Sequence, residues 1–325
     1  PDVSLDPAVA VHQHVDEREV EELLAPRDRL VHVPEVVPAG GLDLSREQGS
    51  SEYMYRSGYG ASASPFAERT ADLAGVYLQD RIRIGEAFTA AVGARYDNHS
   101  RAGGALTFRI APAWINDALG LKLKASYGTA FKAPSLHPLS AEPTLCGPIG
   151  NADLAPERCA GWDAGIEKSF AGGKAAAGLT YFRNEFRGLV DYDFSRGYVN
   201  VGRARTRGVE ASGEIRPGER FGLWLAYTRL EALDLDTGAP LMRRPKDLAS
   251  AAADWSPGDR WNVHLSVTYT GEREDRDYSG FDAWNVTLPA YTLANAAVSY
   301  RIASRWQAFV RLGNILNARY EPVFG

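Results

Sequence analysis

The sequence predicts an all-β chain, an antiparallel up-and-down β-barrel that crosses a membrane with strands. Three observations carry that class. Segments of about ten residues alternate apolar and polar at period two, the pattern of a strand with two unlike faces. The connections between them alternate short and long, as in a barrel with tight turns at one end and extended loops at the other. The mean hydropathy is −0.29, and no apolar run is long enough for a transmembrane helix; a membrane barrel hides its apolar residues at every second position.

Composition narrows the field further. The 325 residues include 36 Lys+Arg against 41 Asp+Glu, a net charge of −5. Phosphate binding needs a basic surface, so a nucleic-acid partner is not expected. At 45% hydrophobic and 24% charged residues the chain is not disordered. Its 32 Gly, 15 Tyr and 7 Trp with 2 Cys suit sheet hairpins and aromatic girdles. The chain begins Pro1-Asp2-Val3 with no charged-then-apolar leader, so it reads as processed or partial.

Residues 1–35 differ from the rest and are expected to be irregular. Asp16–Leu24 is an acidic stretch of helical character, and Pro7, Pro26 and Pro34 interrupt the region around it. From residue 36 the strand rhythm sets in. Phe88, Ala90, Val92, Ala94 and Tyr96 form an apolar face against Thr89, Ala91, Gly93, Arg95 and Asp97. The same split recurs at 121–128, 263–270 and 306–313. Further strands are expected at 36–47, 70–83, 106–115, 159–168, 175–185, 205–214, 221–231, 245–255 and 289–300, roughly thirteen in all.

Short turns fall at Gly85-Glu86, Asn116-Asp117, Gly172-Gly173, Pro217-Gly218, Pro257-Gly258 and Ala303-Ser304. Long polar connections fall at 48–69, 132–158, 186–204, 232–244 and 272–288, which places these outside and the turns in the periplasm. A soluble sandwich or propeller also alternates. There is no blade-length repeat, and Tyr96, Tyr127, Tyr181, Tyr227, Tyr269 and Tyr300 sit at strand ends as an interfacial girdle requires.

No phosphate-cradling loop, HExxH, CxxC or nucleophile elbow is present, so neither an enzyme nor a cofactor is expected. His12-Gln13-His14 lacks a third metal ligand nearby, and His264 reads as a lumen-facing polar residue. Cys146 and Cys159, the only cysteines, are read as a disulfide across the 132–158 loop, because an oxidising compartment rarely leaves two exposed thiols. The acidic runs at 234–236 and 272–277 read as solvated loop charge, with Ca²⁺ contact the alternative.

Several motifs together resemble a known family. They are Tyr127-Gly128-Thr129-Ala130-Phe131-Lys132-Ala133-Pro134, Gly150-Asn151-Ala152-Asp153-Leu154-Ala155-Pro156-Glu157, Tyr198-Val199-Asn200-Val201-Gly202-Arg203, and Gly313-Asn314-Ile315-Leu316-Asn317. In order and spacing they are similar to the barrel of TonB-dependent outer-membrane receptors over residues 36–325. Leu241-Met242-Arg243-Arg244, Asp277-Tyr278-Ser279 and Tyr320–Gly325 look most like the vitamin B12 (cobalamin) receptors. The resemblance implies a Gram-negative outer-membrane importer with twenty-two strands, of which this chain supplies part. The plug and the final strand are expected to be absent here. It implies cobalamin as ligand, with a ferric siderophore or haem as the alternative, and TonB and outer-membrane lipid as partners. It also implies Arg243 and Tyr278 as substrate contacts. Read without the resemblance, Arg243 could instead pair with a loop carboxylate.

Overall fold

The computed structural model describes residues 37–324 except 52–53, 58–59, 64–65, 144–146, 194, 201 and 278–283, and describes the backbone alone over 51–67. The expected helix at 16–24, His12, His14, Cys146 and Tyr278 lie outside the described residues. In chain order the strands are β1 (Ala39–Ser51), β2 (Met54–Ser57), β3 (Gly60–Ala63), β4 (Phe66–Ile84), β5 (Phe88–His99), β6 (Gly103–Asn116) and β7 (Leu121–Lys132). After the short helix α1 (Leu136–Ser140) come β8 (Glu157–Phe170), β9 (Ala175–Arg187), β10 (Val190–Asp193), β11 (Gly197–Asn200), β12 (Arg203–Gly218) and β13 (Phe221–Asp234). The series closes with β14 (Asp247–Gly258), β15 (Trp261–Thr270), β16 (Arg273–Asp277), β17 (Trp284–Leu288), β18 (Tyr291–Ala303) and β19 (Trp306–Leu312).

Thirteen of these form one antiparallel sheet, in the order β1-β4-β5-β6-β7-β8-β9-β12-β13-β14-β15-β18-β19. Each pairs with its sheet neighbours in sequence, so the topology is up and down, and every one of the thirteen expected strands has its counterpart. Tight turns close one end. At 171–173 the backbone turns through positive φ at Ala171 (52°), Gly172 (66°) and Gly173 (89°), and glycine carries two of the three left-handed positions without a Cβ clash.

The pleat sorts the side chains as the alternation requires. On one face stand Leu42 and Leu44, each 81% exposed, with Leu78, Leu106, Ile166, Leu225, Leu265 and Val310. The register carries that face from strand to strand: Val76 opposite Tyr96, Ile110 opposite Tyr127, Tyr127 opposite Trp162, Ala164 opposite Tyr181, Ala249 opposite Tyr269. A contiguous apolar belt of this extent is stable only against lipid. The opposite face is polar. There Glu167 pairs with Lys122 (3.2 Å) and Lys124 (2.5 Å), and Asp254 meets His264 at 2.9 Å. His264 is thus on the polar wall, as expected.

The long connections are more structured than their polarity suggests. The segments at 48–69, 186–204 and 272–288 each hold a two-stranded hairpin, β2–β3, β10–β11 and β16–β17, and 132–158 holds α1. The run Arg273-Glu274-Asp275-Arg276-Asp277 is therefore a strand rather than solvated loop charge. Its period-two signal is real but inverted in chemistry: Arg273, Asp275 and Asp277 are the buried positions.

Candidate functional site at the outer rim

Two loop assemblies crown the long-loop end. The first joins the segment after β13 to β16 and to the last residues of the chain. Arg243 takes a left-handed backbone (φ 59°), and its N–H donates to the Glu274 carbonyl at 2.7 Å. That geometry aims its guanidinium at Asp275, 2.8 Å away. The Asp275 side chain is 2% exposed. Its Oδ1 also accepts the Arg276 N–H, and its Oδ2 accepts the Phe324 N–H, both at 2.8 Å. Burial alone would raise this carboxyl. The Phe324 amide, the Arg243 guanidinium and the Arg276 amide outweigh burial and hold it below the usual carboxylate range.

Arg273 completes the clasp. Buried to 4% exposure, it donates to the carbonyls of Glu321, Pro322 (3.2 Å) and Pro289 (3.5 Å). Its guanidinium lies 5.3 Å from the centroid of the Tyr291 ring, which stacks on Tyr320 at 4.7 Å. Arg243 is thus engaged by a loop carboxylate. The direct-contact role implied by the resemblance stays a proposal, as does that of Tyr278.

The second assembly packs α1 and the following loop against the β10–β11 hairpin. Asn151 donates its side-chain amide to the Tyr198 carbonyl (3.0 Å), and the Tyr198 N–H reaches the Ile149 carbonyl (2.8 Å). Asn200 exchanges bonds with Ala155 in both directions, at 2.8 and 2.9 Å, and donates to the Gly188 carbonyl at 2.7 Å. A Cβ at Gly150 would stand 2.4 Å from the Ala141 carbonyl oxygen, so only glycine fits there. The motif residues Gly150, Asn151 and Asn200 are the pins of this joint. Its surface carries three rings: His137 edge-on to Tyr198 (5.9 Å) and Tyr198 against Tyr192 (5.3 Å). Burial lowers the His137 imidazole and raises the Tyr198 phenol, the latter helped by Tyr192 and Asp191. At the hairpin turn Asp193 is pulled down to about 2, first by the Ser195 hydroxyl and then by the Ser195 amide.

Between the outer ends of β12 and β13 and the start of β16 lies a half-open cleft of ≈ 460 Å³, edged by Arg207, Arg229, Arg244 and Lys246 with Glu231 and Glu272. Sequence reasoning missed this cleft and the His137–Tyr192–Tyr198 cluster, because each is assembled from segments far apart in the chain. The acidic run at 234–236 acts as turn chemistry: Asp234 accepts the N–H groups of Asp236 and Thr237, and Asp236 accepts that of Arg203. Among the described residues no three His, Cys, Asp or Glu side chains stand together as a metal site. Cys159 is a strand residue, the third of β8, opposite Ala130 and Phe186, and its thiol is free among the described residues. The Cys146–Cys159 pairing remains a proposal.

Comparison with known proteins follows from this geometry. Residues 30–315 match the family model described as TonB dependent receptor-like, beta-barrel. Among solved structures, a mutant of the ferric enterobactin receptor PfeA of Pseudomonas aeruginosa is similar at 19% identity and a TM-score of 0.66, over 85% of this chain and 48% of that one. The siderophore receptor PirA of Acinetobacter baumannii gives 17% and 0.67, over 85% and 51%. The ferripyoverdine receptor of Pseudomonas aeruginosa, bound to ferripyoverdine, gives 17% and 0.70, over 89% and 43%. The chain spans about half the length of the solved relatives it matches. At these identities the likeness speaks for the fold.

Proposed function

We propose, because the chain belongs to the TonB-dependent receptors and carries their β-barrel, that it forms part of the wall and outer mouth of an importer for a ferric siderophore. The family consists of transport receptors rather than enzymes, and its barrels are outer-membrane proteins of Gram-negative bacteria. Outer-membrane location, ligand import and coupling to TonB follow for this chain as proposals.

The observation that carries the siderophore reading is the mouth itself. Ferric siderophores present an iron chelate through oxygen donors, commonly as an anionic and often aromatic complex. The rim offers rings for stacking at His137, Tyr192 and Tyr198. The solved relatives named above, siderophore receptors in their own right, support the same class.

Cobalamin is the second reading, favoured by the resemblance at 241–244 and 320–325. It is weakened by the occupation of Arg243, whose guanidinium is held by Asp275. On either reading Arg243 and Tyr278 are the proposed substrate contacts, and Arg243 also fixes the loop through Asp275.

Equilibrium binding to the complete receptor separates the two. A ferric catecholate or ferric hydroxamate probe should bind and cyanocobalamin should not. Tyr198→Ala should weaken the ferric probe by about 1–3 kcal/mol, as loss of a stacked aromatic contact does. Tight cyanocobalamin binding, with neither ferric chelate nor haem retained, would replace the siderophore assignment.

A further inference from the structure

A second cleft lies at the tight-turn end of the polar wall, far from the outer rim. The pleat fixes the side on which it opens. Asp254 and His264 meet on the polar face. Asn262 stands two residues from His264, and the register sets Asn262 opposite Ser299 and Arg301 opposite Gln307. Alternation puts these four on the same polar face, with the lipid belt on the other. Arg220 and Arg260 occupy the turns beside them. The Arg220 carbonyl accepts the Ser256 N–H and the Arg260 carbonyl accepts the Arg301 N–H, both at 2.8 Å. Together these residues line a half-open cleft of ≈ 370 Å³.

The charges of the cleft do not balance. Three guanidinium groups line it with two carboxylates, Glu219 and Asp259. Asp259 is engaged by Arg220 at 3.2 Å, and both of those side chains are exposed. Among the described residues neither Arg260 nor Arg301 stands in an ion pair. Arg216, on the same face of β12, shows the contrast: Glu214 holds its guanidinium, which also lies 5.5 Å from the Trp224 ring centroid. The wall thus satisfies one arginine with its own residues and leaves two open beside the exit.

Size and donor chemistry select the guest. Small-molecule clefts run from about 300 to 1,000 Å³, whereas a stable protein partner needs about 800 Å² of matched surface on each side. The volume here is that of a small-molecule site. The neutral amides of Asn262 and Gln307 and the hydroxyl of Ser299 add donors to the guanidinium groups. Guanidinium forks bind oxygen anions bidentately, so the set suits a multiply charged oxyanion and repels a cation. Because the cleft opens on the polar face, its guest arrives through the lumen or from the turn end rather than from lipid.

We propose that Arg220, Arg260 and Arg301 form an exit subsite on the polar wall, which receives an anionic ferric chelate after it leaves the mouth and before it leaves the lumen. The inference rests on the import reading above and adds to it a second, weaker station at the opposite end of the strands.

The test is equilibrium dialysis of the complete receptor in neutral detergent against radiolabelled iron, presented as a trianionic ferric tris-catecholate and as a neutral ferric trihydroxamate. The trianionic chelate should fill two sites, a tight one at the mouth and a weaker one at the exit; the neutral chelate should not fill the weaker one. The double variant Arg260→Ser/Arg301→Ser should keep the tight site unchanged, which also reports that it folds. It should bind at the weaker site at least about tenfold less well, as expected for the loss of two charge-assisted contacts. Uptake of the trianionic chelate by cells at saturating external concentration should fall in the variant, because cargo leaving the mouth finds no second acceptor. A tight site without a weaker one, equal weak binding by parent and variant, equal weak binding of the neutral chelate, or unchanged uptake would each overturn the exit subsite alone. Displacement from the weaker site by inorganic phosphate at concentrations matching the chelate would overturn it too, by showing a site for free anions. A parent that holds no ferric chelate tightly would overturn the import reading itself, and this inference with it.

Discussion

The strand wall and the outer-rim clasp are built on opposite rules. In the wall, Leu42, Leu78, Leu106 and Leu265 stay at least half exposed, and the sheet is held by its backbone ladders and by the solvent it meets. In the clasp, the residues most removed from solvent are charged: Asp275 at 1% and Arg273 at 4%. A membrane barrel has lipid to receive its apolar side chains, so the wall needs no packed interior. The rim lies in water, has little apolar surface to bury, and closes its loops with buried ion pairs and side chain-to-backbone bonds. Such groups are costly when left single and stabilise only as a satisfied set.

The sharpest way to break this contrast is to place a charge on each face of one strand. Leu265→Arg faces the lipid belt, whereas Ser266→Arg faces the polar side of β15. The first should lower folding stability in lipid vesicles by about 2–4 kcal/mol and the second by far less. Equal effects would mean that the exposed apolar face of β15 does not meet lipid.

The proposed Cys146–Cys159 bond would tie loop to wall, since Cys159 lies on β8. Closing a loop of that length should contribute roughly 3 kcal/mol in the chain-entropy model. Intact mass after alkylation without reduction should show no added label on protein extracted from membranes. Two alkylated thiols would refute the bond.

Within the clasp, Asp275→Asn removes the charge that faces Arg243 while keeping the side chain's shape. It should loosen the rim by about 1–3 kcal/mol, the range for a hydrogen bond to a charged partner. Faster hydrogen exchange at 239–246 and 320–324, with unchanged protection in β13 and β15, is the expected readout. Uniform loosening of all four segments would show that rim and wall are one cooperative unit. Acid should act in the same direction. Because the folded Asp275 carboxyl is held below its ordinary range, its contribution is complete above about pH 4 and is lost as pH falls through the folded value. The Phe324 amide, which bonds Asp275 Oδ2, should lose protection in that window once the intrinsic pH dependence of exchange is removed. Protection that is flat from pH 7 to pH 3 would sink the assignment.

The same contrast explains what could be read from the residues alone. All thirteen wall strands were legible, because lipid on one side and polar surface on the other print a period of two on the sequence. The hairpin β16–β17 was not. Arg273, Asp275 and Asp277 do alternate with Glu274 and Arg276, but both sets are charged, and no hydropathy rule separates a buried carboxylate from a solvated one. That Arg243 could pair with a loop carboxylate was legible, but not which one: Asp275 is distant in sequence, and the left-handed backbone at Arg243 gives no compositional sign. Gly150, Asn151 and Asn200 were visible as a resemblance, yet their work as loop pins needed the contact between 149–155 and 198–200 to be seen.

The smallest effect is expected at the opposite end of the wall, and it sharpens the comparison by holding the chemistry constant. Arg220 and Asp259 form an ion pair at 3.2 Å between two tight turns. Arg243 and Asp275 form one at 2.8 Å in the rim. Both join an arginine to an aspartate across neighbouring segments, and they differ in surroundings. The Arg220 and Asp259 side chains are 66% and 90% exposed, so water competes for both partners and salt screens their attraction. Neither carboxylate oxygen of Asp259 receives a backbone amide among the described bonds, whereas those of Asp275 receive two. Arg220→Ala should therefore change stability by less than about 0.5 kcal/mol, the usual range for an exposed pair, and the change should vanish at high salt. The Asp275→Asn effect should persist there, because the Asp275 carboxylate itself is buried. Denaturant unfolding of both variants at low and high salt makes the measurement. If Arg220→Ala costs as much as Asp275→Asn, or if salt erases both, then burial is not what separates the rim from the turns.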